Sequence, residues 1–162
     1  MTYPVKHIAN SILQKDFSDG EATITPMKMQ KLLYYLHGWH LAITDRPAIK
    51  ESFHAWQYGP VEENLYHLLK KYRGNPITAY LKERDDSGEE SAFVVSGKEE
   101  MFHKILDMVW RKYGQFTAIQ LSAMTHGKGT PWDIVYNRHD DMPIIPDNMI
   151  KEYFKGRLGY AG

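Results

Sequence analysis

Helical spacing of apolar residues opens the chain. Apolar positions recur at intervals of three and four between Val5 and Leu13, which predicts an amphipathic helix that begins after Pro4. Turn-forming residues follow this segment. Thr25 and Pro26 are then suited to the N-cap and to the first position of a second helix.

The segment Met27–Ile43 is apolar nearly all round, which indicates a helix at the centre of the fold. Its polar residues Lys28, Gln30 and Lys31 cluster near the start. We therefore expect this end of the helix to reach the surface while the rest is enclosed. Gly38 is expected to let another element approach closely.

Alternation replaces helical spacing in Ser52–Tyr58, which predicts a short strand that Gly59–Pro60 ends. Glu62–Tyr72 returns to helical spacing. The charged run Lys82–Glu90 is best explained as a solvated loop or hairpin tip, with Phe93–Val95 as its returning strand.

Helical spacing resumes over Lys98–Tyr113, and Thr117 is suited to cap a further helix that runs to Thr125. A brief helix at Trp132 and a final one through Phe154 complete the pattern. The predicted fold class is mainly α: a compact helical domain around a central hydrophobic helix, with a small antiparallel β element.

Length and composition agree with one domain over residues 1–162. Lys and Arg number 20 and Asp and Glu number 20, so the chain has no overall positive field of the kind that attracts nucleic acid. It contains no cysteine, which excludes thiolate zinc sites, cysteine nucleophiles and iron–sulfur clusters.

The hydrophobic fraction is 43% and the mean hydropathy is −0.52, values typical of a soluble domain. No apolar run approaches the roughly 18 residues that a membrane span needs. The start, Met1–Asn10, lacks the apolar core of a signal peptide. These features predict a cytoplasmic protein that does not interact with membranes.

Four residues have spacings that suit catalysis or metal binding. His37 and His40 are three apart on the central helix, and Glu63 and His67 are four apart on a later one. A metal-dependent hydrolase built on them is one hypothesis. No third ligand, nucleophile or oxyanion donor lies nearby in sequence, so hydrogen-bonded or solvent-exposed pairs explain both spacings better. We predict no metal and no other cofactor.

Two segments suit a macromolecular partner. Trp56 and Tyr58 lie on one side of a short strand that can present an anchor to another protein. Lys70, Lys71 and Arg73 form a basic stretch that can meet an acidic protein surface or a phosphate backbone. A helix C-terminus, where cations oppose the helix dipole, explains the same stretch structurally.

Three blocks of sequence together resemble the Panacea domain, also called the SocA-like or GepA-like family. The resemblance extends over about residues 8–154, nearly the whole chain. Its blocks are Ile24–Tyr35 with Gly38–His40; Phe53–Val61 followed by Tyr66 and Lys70–Gly74; and Trp110 with Tyr113–Gly114, Leu121–His126 and Pro131–Trp132.

The resemblance implies an antitoxin that is encoded beside an unrelated toxin and neutralises it by direct binding. It implies no catalytic residues, so an enzyme is not expected. The alternatives are a regulator that binds its own promoter DNA and, more remotely, the hydrolase. Signature positions expected to be structural are Lys31, Leu32, Tyr34, Trp39, Gly59, Pro60 and Trp132. Positions expected to bind the toxin are Trp56, Tyr58, Tyr66, Lys70, Lys71 and Arg73.

Overall fold

Helices make up most of the protein in a computed structural model, which describes residues 1–141 and 143–158. The prediction of a mainly α fold with a small antiparallel element is confirmed. The helices are α1 (Val5–Ser18), α2 (Pro26–Thr44), α3 (Glu63–Leu69), α4 (Glu100–Tyr113), α5 (Ala118–Thr125), α6 (Pro131–Tyr136) and α7 (Asp147–Leu158). The strands are β1 (Phe53–Trp56), β2 (Gly59–Glu62), β3 (Glu83–Arg84), β4 (Glu90–Ser91) and β5 (Ile144–Ile145).

Helix α2 is the centre of the fold, as its apolar pattern predicts. The Thr25 side chain accepts a hydrogen bond from the Lys28 main-chain N–H at 3.3 Å, and Pro26 occupies the first turn. The helix ends where Asp45 adopts a left-handed conformation. It packs against α4, α5, α7 and β2, so most of its surface is covered.

The polar start of α2 is buried, and the prediction that this end reaches the surface is wrong. Lys28, Gln30 and Lys31 are all enclosed. Each side chain donates to a main-chain carbonyl of another segment, which replaces the water that burial removes. The acceptors are the carbonyls of Gly114, Glu62 and Pro60, at 2.6, 2.9 and 3.2 Å respectively.

Strands β1 and β2 form an antiparallel hairpin, and β5 pairs with the other edge of β1. The first strand ends before Gly59 and Pro60, as predicted, but these two residues also begin a second strand that the sequence pattern does not predict. Gly59 has φ 118°, a left-handed conformation that glycine adopts readily. Pro60 is tolerated because β2 is an edge strand and needs no ladder N–H there.

A second hairpin joins β3 and β4 across the charged run, as predicted, but Glu90–Ser91 is its returning strand. Phe93–Val95 lies outside the hairpin, which corrects the sequence prediction. This segment is attached to α1 instead. Asn10 Nδ2 donates to the Phe93 carbonyl at 2.9 Å, and the Val95 N–H donates to Ser11 Oγ at 3.0 Å.

Apolar side chains from every large helix meet α2 in one buried cluster. Over residues 1–141 and 143–158, no helix has both the length and the apolar character that crossing a membrane requires. Gly38 is the point where α7 comes closest, because the Phe154 ring lies against the position that a Cβ would fill. The expectation for Gly38 is therefore confirmed.

Substituting Gly38→Ala should lower the free energy of unfolding by about 1–3 kcal/mol, because the new methyl group overlaps the Phe154 ring. Gly156→Ala on α7 is the matched control. No atom of the described residues lies within 4 Å of its Cβ position, so alanine should stabilise the helix by up to about 1 kcal/mol. Urea unfolding of both variants measures the difference, and equal stability would contradict the close approach of α2 and α7.

Candidate partner-binding site

A groove opens between the start of α2, the β1–β2 hairpin and the end of α3. Its volume is about 400 Å³ and its lining is predominantly apolar. Helix α2 contributes Met27 and Lys31, the hairpin contributes Trp56 and Tyr58, and α3 contributes Tyr66. We refer to it below as the aromatic groove.

The aromatic groove brings together several residues that the sequence singles out for partner binding. Trp56, Tyr58 and Tyr66 line it, and Arg73 lies at its end beyond the 3-10 turn Lys70–Tyr72. Lys70 and Lys71 are exposed on that turn but do not line the groove. The basic stretch thus contributes one side chain to the groove and places two others beside it.

The hairpin is held in place through its main chain. Trp132 Nε1 donates to the Trp56 carbonyl at 2.6 Å, and Ser122 Oγ donates to the Tyr58 carbonyl at 2.7 Å. The Trp56 ring meets Tyr66 edge-on, with centroids 5.0 Å apart. Since α5 and α6 hold the main chain, the Tyr58 side chain is 59% exposed on a fixed support.

Gln30 connects the hairpin to α2 by a pair of hydrogen bonds to the main chain of Glu62. Its Nε2 donates to the Glu62 carbonyl and its Oε1 accepts from the Glu62 N–H, each at 2.9 Å. Both polar ends of a buried amide are thereby satisfied. This pair of hydrogen bonds fixes the distance between α2 and β2, and therefore the width of the groove between them.

Lys31 extends beneath the hairpin and is 1% exposed. A Cβ at Gly59 would lie 2.6 Å from Lys31 Cε, so only glycine fits there even apart from its φ. No carboxylate among the described residues lies within 4.0 Å of the Lys31 amine. Burial lowers the pKa of Lys31 from its ordinary value to about 8.

His126 is a neighbour of Lys31 that the sequence does not identify as part of the site. Its ring stacks on Trp132 with centroids 4.1 Å apart, and its Nε2 is buried without a hydrogen-bond partner among the described residues. Burial lowers the pKa of His126, and the charge of Lys31 lowers it further. The two side chains come from α2 and the end of α5, which nothing in their local sequence connects.

Arg73 is held in a conformation that disfavours a side chain. The turn Tyr72–Asn75 is closed by the Asn75 N–H and the Tyr72 carbonyl at 2.9 Å, and Arg73 has φ 55° and ψ −118° within it. This combination matches the first central position of a type II′ turn, where glycine is preferred. Such strain, of order 1–3 kcal/mol, is concentrated at functional positions in proteins.

The remaining signature residues lie in the core. Leu32, Tyr34 and Trp39 are buried along α2. Trp39 Nε1 donates to the Tyr113 hydroxyl at 2.9 Å, and Tyr34 packs edge-on against Phe53. These contacts involve the helix-to-helix and helix-to-sheet interfaces rather than the groove.

The residues of the hydrolase hypothesis do not converge. His37 Nε2 bonds Asp147 Oδ1 at 2.9 Å, whereas His40 Nδ1 contacts a main-chain carbonyl. Glu63 and His67 lie 3.7 Å apart on the exposed face of α3. Within the described part of the chain, no group of three or more histidine, aspartate or glutamate side chains is arranged to hold a metal ion.

Fold and groove define a mainly helical domain with an exposed aromatic groove and a buried lysine in its wall. Residues 29–133 match the antitoxin SocA-like, Panacea domain family, and the chain belongs to this family. It is 29% identical over 130 residues to Antitoxin SocA of Caulobacter vibrioides (strain NA1000 / CB15N), covering 80% of this chain and 69% of that relative. No solved structure matches the chain.

Replacing Lys31 by methionine should stabilise the isolated protein. Below pH 8 the folded state buries an ammonium group, and the difference between its pKa of about 8 and the ordinary 10.5 corresponds to about 3 kcal/mol. The variant also loses the hydrogen bond to the Pro60 carbonyl, which reduces the expected gain in stability by about 1–2 kcal/mol. We expect Lys31→Met to gain about 1–2 kcal/mol at pH 7.

The pH dependence supplies the control. Above pH 8 the folded protein has released a proton that the unfolded chain still binds, so wild-type stability rises relative to that of Lys31→Met. The advantage of the variant should therefore shrink between pH 7 and pH 9.5 in paired urea titrations. A constant difference in free energy of unfolding would contradict a buried, titrating amine.

Arg73→Gly should raise the free energy of unfolding by about 1 kcal/mol or more, because glycine adopts the observed φ and ψ without strain. Arg73→Ala is the matched control: it removes the same charge but keeps the Cβ, so no gain is expected. Thermal melts of both variants measure the contrast. Equal melting temperatures for the glycine and alanine variants would contradict a strained turn.

Proposed function

We propose that this chain is an antitoxin that acts in the cytoplasm and neutralises its toxin by direct binding through the aromatic groove. Membership of the antitoxin SocA-like family supports a toxin as the partner. The observation that supports the choice of surface is the exposed Tyr58 side chain, which lies over an apolar groove while its main-chain carbonyl accepts a hydrogen bond from Ser122 Oγ.

Fixed aromatic side chains are effective contacts for a protein partner. A tyrosine offers a large apolar ring with a polar tip, and two rotatable bonds limit the entropy lost when it is immobilised. Tyr58 and Tyr66 both expose their rings beside Trp56. Clustered aromatic residues of this kind form the centres of binding energy in protein interfaces.

Charge at the edge of the groove favours an acidic partner surface. Lys70, Lys71 and Arg73 are exposed, whereas the chain as a whole has a formal charge of zero. A local cationic edge speeds association with an acidic surface and orients it. The apolar lining of the adjoining groove favours a protein over a nucleic-acid backbone, whose phosphates require polar contacts.

The proposal predicts that Tyr58→Ala abolishes neutralisation without unfolding the protein. The chain is co-expressed with the product of the adjacent reading frame, and growth, co-purification and melting temperature are recorded. Removal of the ring should weaken the complex at least tenfold, while the melting temperature changes little because the hairpin contacts at this position involve the main chain.

Ile119→Ala provides the matched control. Ile119 is 78% exposed on α5 and does not line the groove, so its truncation should leave growth rescue intact. Failure of the wild-type chain to rescue growth or to form a complex would contradict the antitoxin role. Rescue by Tyr58→Ala equal to wild type would place the interface elsewhere, and a gel shift of promoter DNA would favour the regulator.

A further inference from the structure

The amine of Lys31 has unused binding capacity. An ammonium group carries three hydrogen-bond donors, and among the described residues the one acceptor bonded to Lys31 Nζ is the Pro60 carbonyl at 3.2 Å. Among the described residues no carboxylate lies within 4.0 Å to balance the charge. A buried cation without a counter-ion is an unusual arrangement, because buried charges in proteins are generally paired.

Lys31 is also part of the wall of the aromatic groove. The charged side chains that line the groove are Lys31 and Arg73, and none of its described lining residues is acidic. The rest of the lining is largely aromatic and aliphatic, including Trp56, Val61 and Leu69. The groove therefore combines a largely apolar lining with the positive charges of Lys31 and Arg73.

We propose that the aromatic groove receives a segment of the toxin in which an aspartate or glutamate lies next to a bulky apolar residue, and that Lys31 pairs with this carboxylate. The inference rests on the proposed function, since it names the chemistry of the partner at the same site. Lys31 then acts in recognition as well as in the structure of the hairpin.

The burial of Lys31 favours a single carboxylate side chain, rather than a phosphate backbone, as its ligand. Lys31 lines the groove but is 1% exposed, so a ligand reaches its amine only by entering the groove and displacing the side chains that cover it. A phosphate backbone that stays on the surface does not do this. A carboxylate on a flexible stem can enter a groove of about 400 Å³ while its apolar neighbour contacts the aromatic walls. Because folding has already removed water from the amine, binding adds little further desolvation on the antitoxin side.

Neighbouring groups reinforce the preference for an anion. The charge of Lys31 lowers the pKa of His126, which follows α5, and the Gln30 amide already bonds the main chain of β2 at both ends. Thr125 Oγ1 lies near the same Gly59 position as the Lys31 amine, and it donates to the Ser122 carbonyl. None of these groups supplies the negative charge that Lys31 lacks.

The test measures the affinity of the purified chain for its toxin by titration calorimetry. Lys31→Met should bind about 100-fold more weakly and melt at an equal or higher temperature, which separates recognition from folding. Lys31→Arg keeps the charge and should retain more of the affinity than Lys31→Met if it folds. Toxin variants with single Asp→Asn or Glu→Gln changes identify the partner carboxylate.

A double-mutant comparison makes the pairing specific. The toxin variant that lacks the partner carboxylate should bind the wild-type chain more weakly than the unchanged toxin does. Lys31→Met should bind this toxin variant and the unchanged toxin with equal affinity. Wild-type affinity should also fall as pH rises from 7 to 9.5, because a free amine with pKa near 8 must take up a proton to bind a carboxylate. The same pH series on Lys31→Met accounts for His126 and every other titrating group.

The outcomes separate the two proposals. Tight toxin binding by Lys31→Met, equal to wild type and with the same pH profile, overturns the role of Lys31 and leaves the antitoxin proposal standing. The pairing is also overturned if all the Asp→Asn and Glu→Gln toxin variants lose the same amount of affinity for the wild-type chain, because no single carboxylate is then the partner of Lys31. Absence of any complex between the wild-type chain and the toxin overturns both.

Discussion

The position of the β1–β2 hairpin, and of the groove beside it, depends on the burial of the polar start of α2 beneath the hairpin. Gln30 and Lys31 both end on main-chain groups of β2, so the hairpin is fixed to the central helix by hydrogen bonds. Gly59 permits this by its positive φ and by leaving room for the lysine stem. The position of the groove, and the exposure of Tyr58 above it, follow from this attachment.

The sequence was sufficient to predict the central helix because apolar residues surround it on nearly every face. The family signature also marked Lys31, Gly59 and Trp132, which the structure places around one hairpin. Signature positions expected to be structural therefore lie beside those expected to bind a partner. The sequence pattern alone does not separate a structural role of Lys31 in the hairpin from a role in binding the partner; the burial and the charge of its amine bear on both.

The burial of Lys28 and Lys31 could not be predicted from periodicity, which treats every lysine as solvent-seeking. Their acceptors are main-chain carbonyls of residues distant in sequence. Because every residue has such a carbonyl, the residue types do not show which one will accept a hydrogen bond. The extra strand β5 has two residues, too few to show alternation. Phe93–Val95 has the composition of a strand, but the Asn10 side chain donates to the Phe93 carbonyl and Ser11 Oγ accepts from the Val95 N–H, which attaches the segment to α1.

Two unfavourable features border the same groove: a buried amine at Lys31, which has no carboxylate within 4.0 Å among the described residues, and a strained backbone at Arg73. The extensive core around α2 makes both tolerable, because the fold does not rely on the groove for its stability. Natural proteins retain such features where selection for function opposes selection for stability. Single substitutions, Lys31→Met and Arg73→Gly, should relieve both, so their presence in one groove supports a function there that those substitutions would remove.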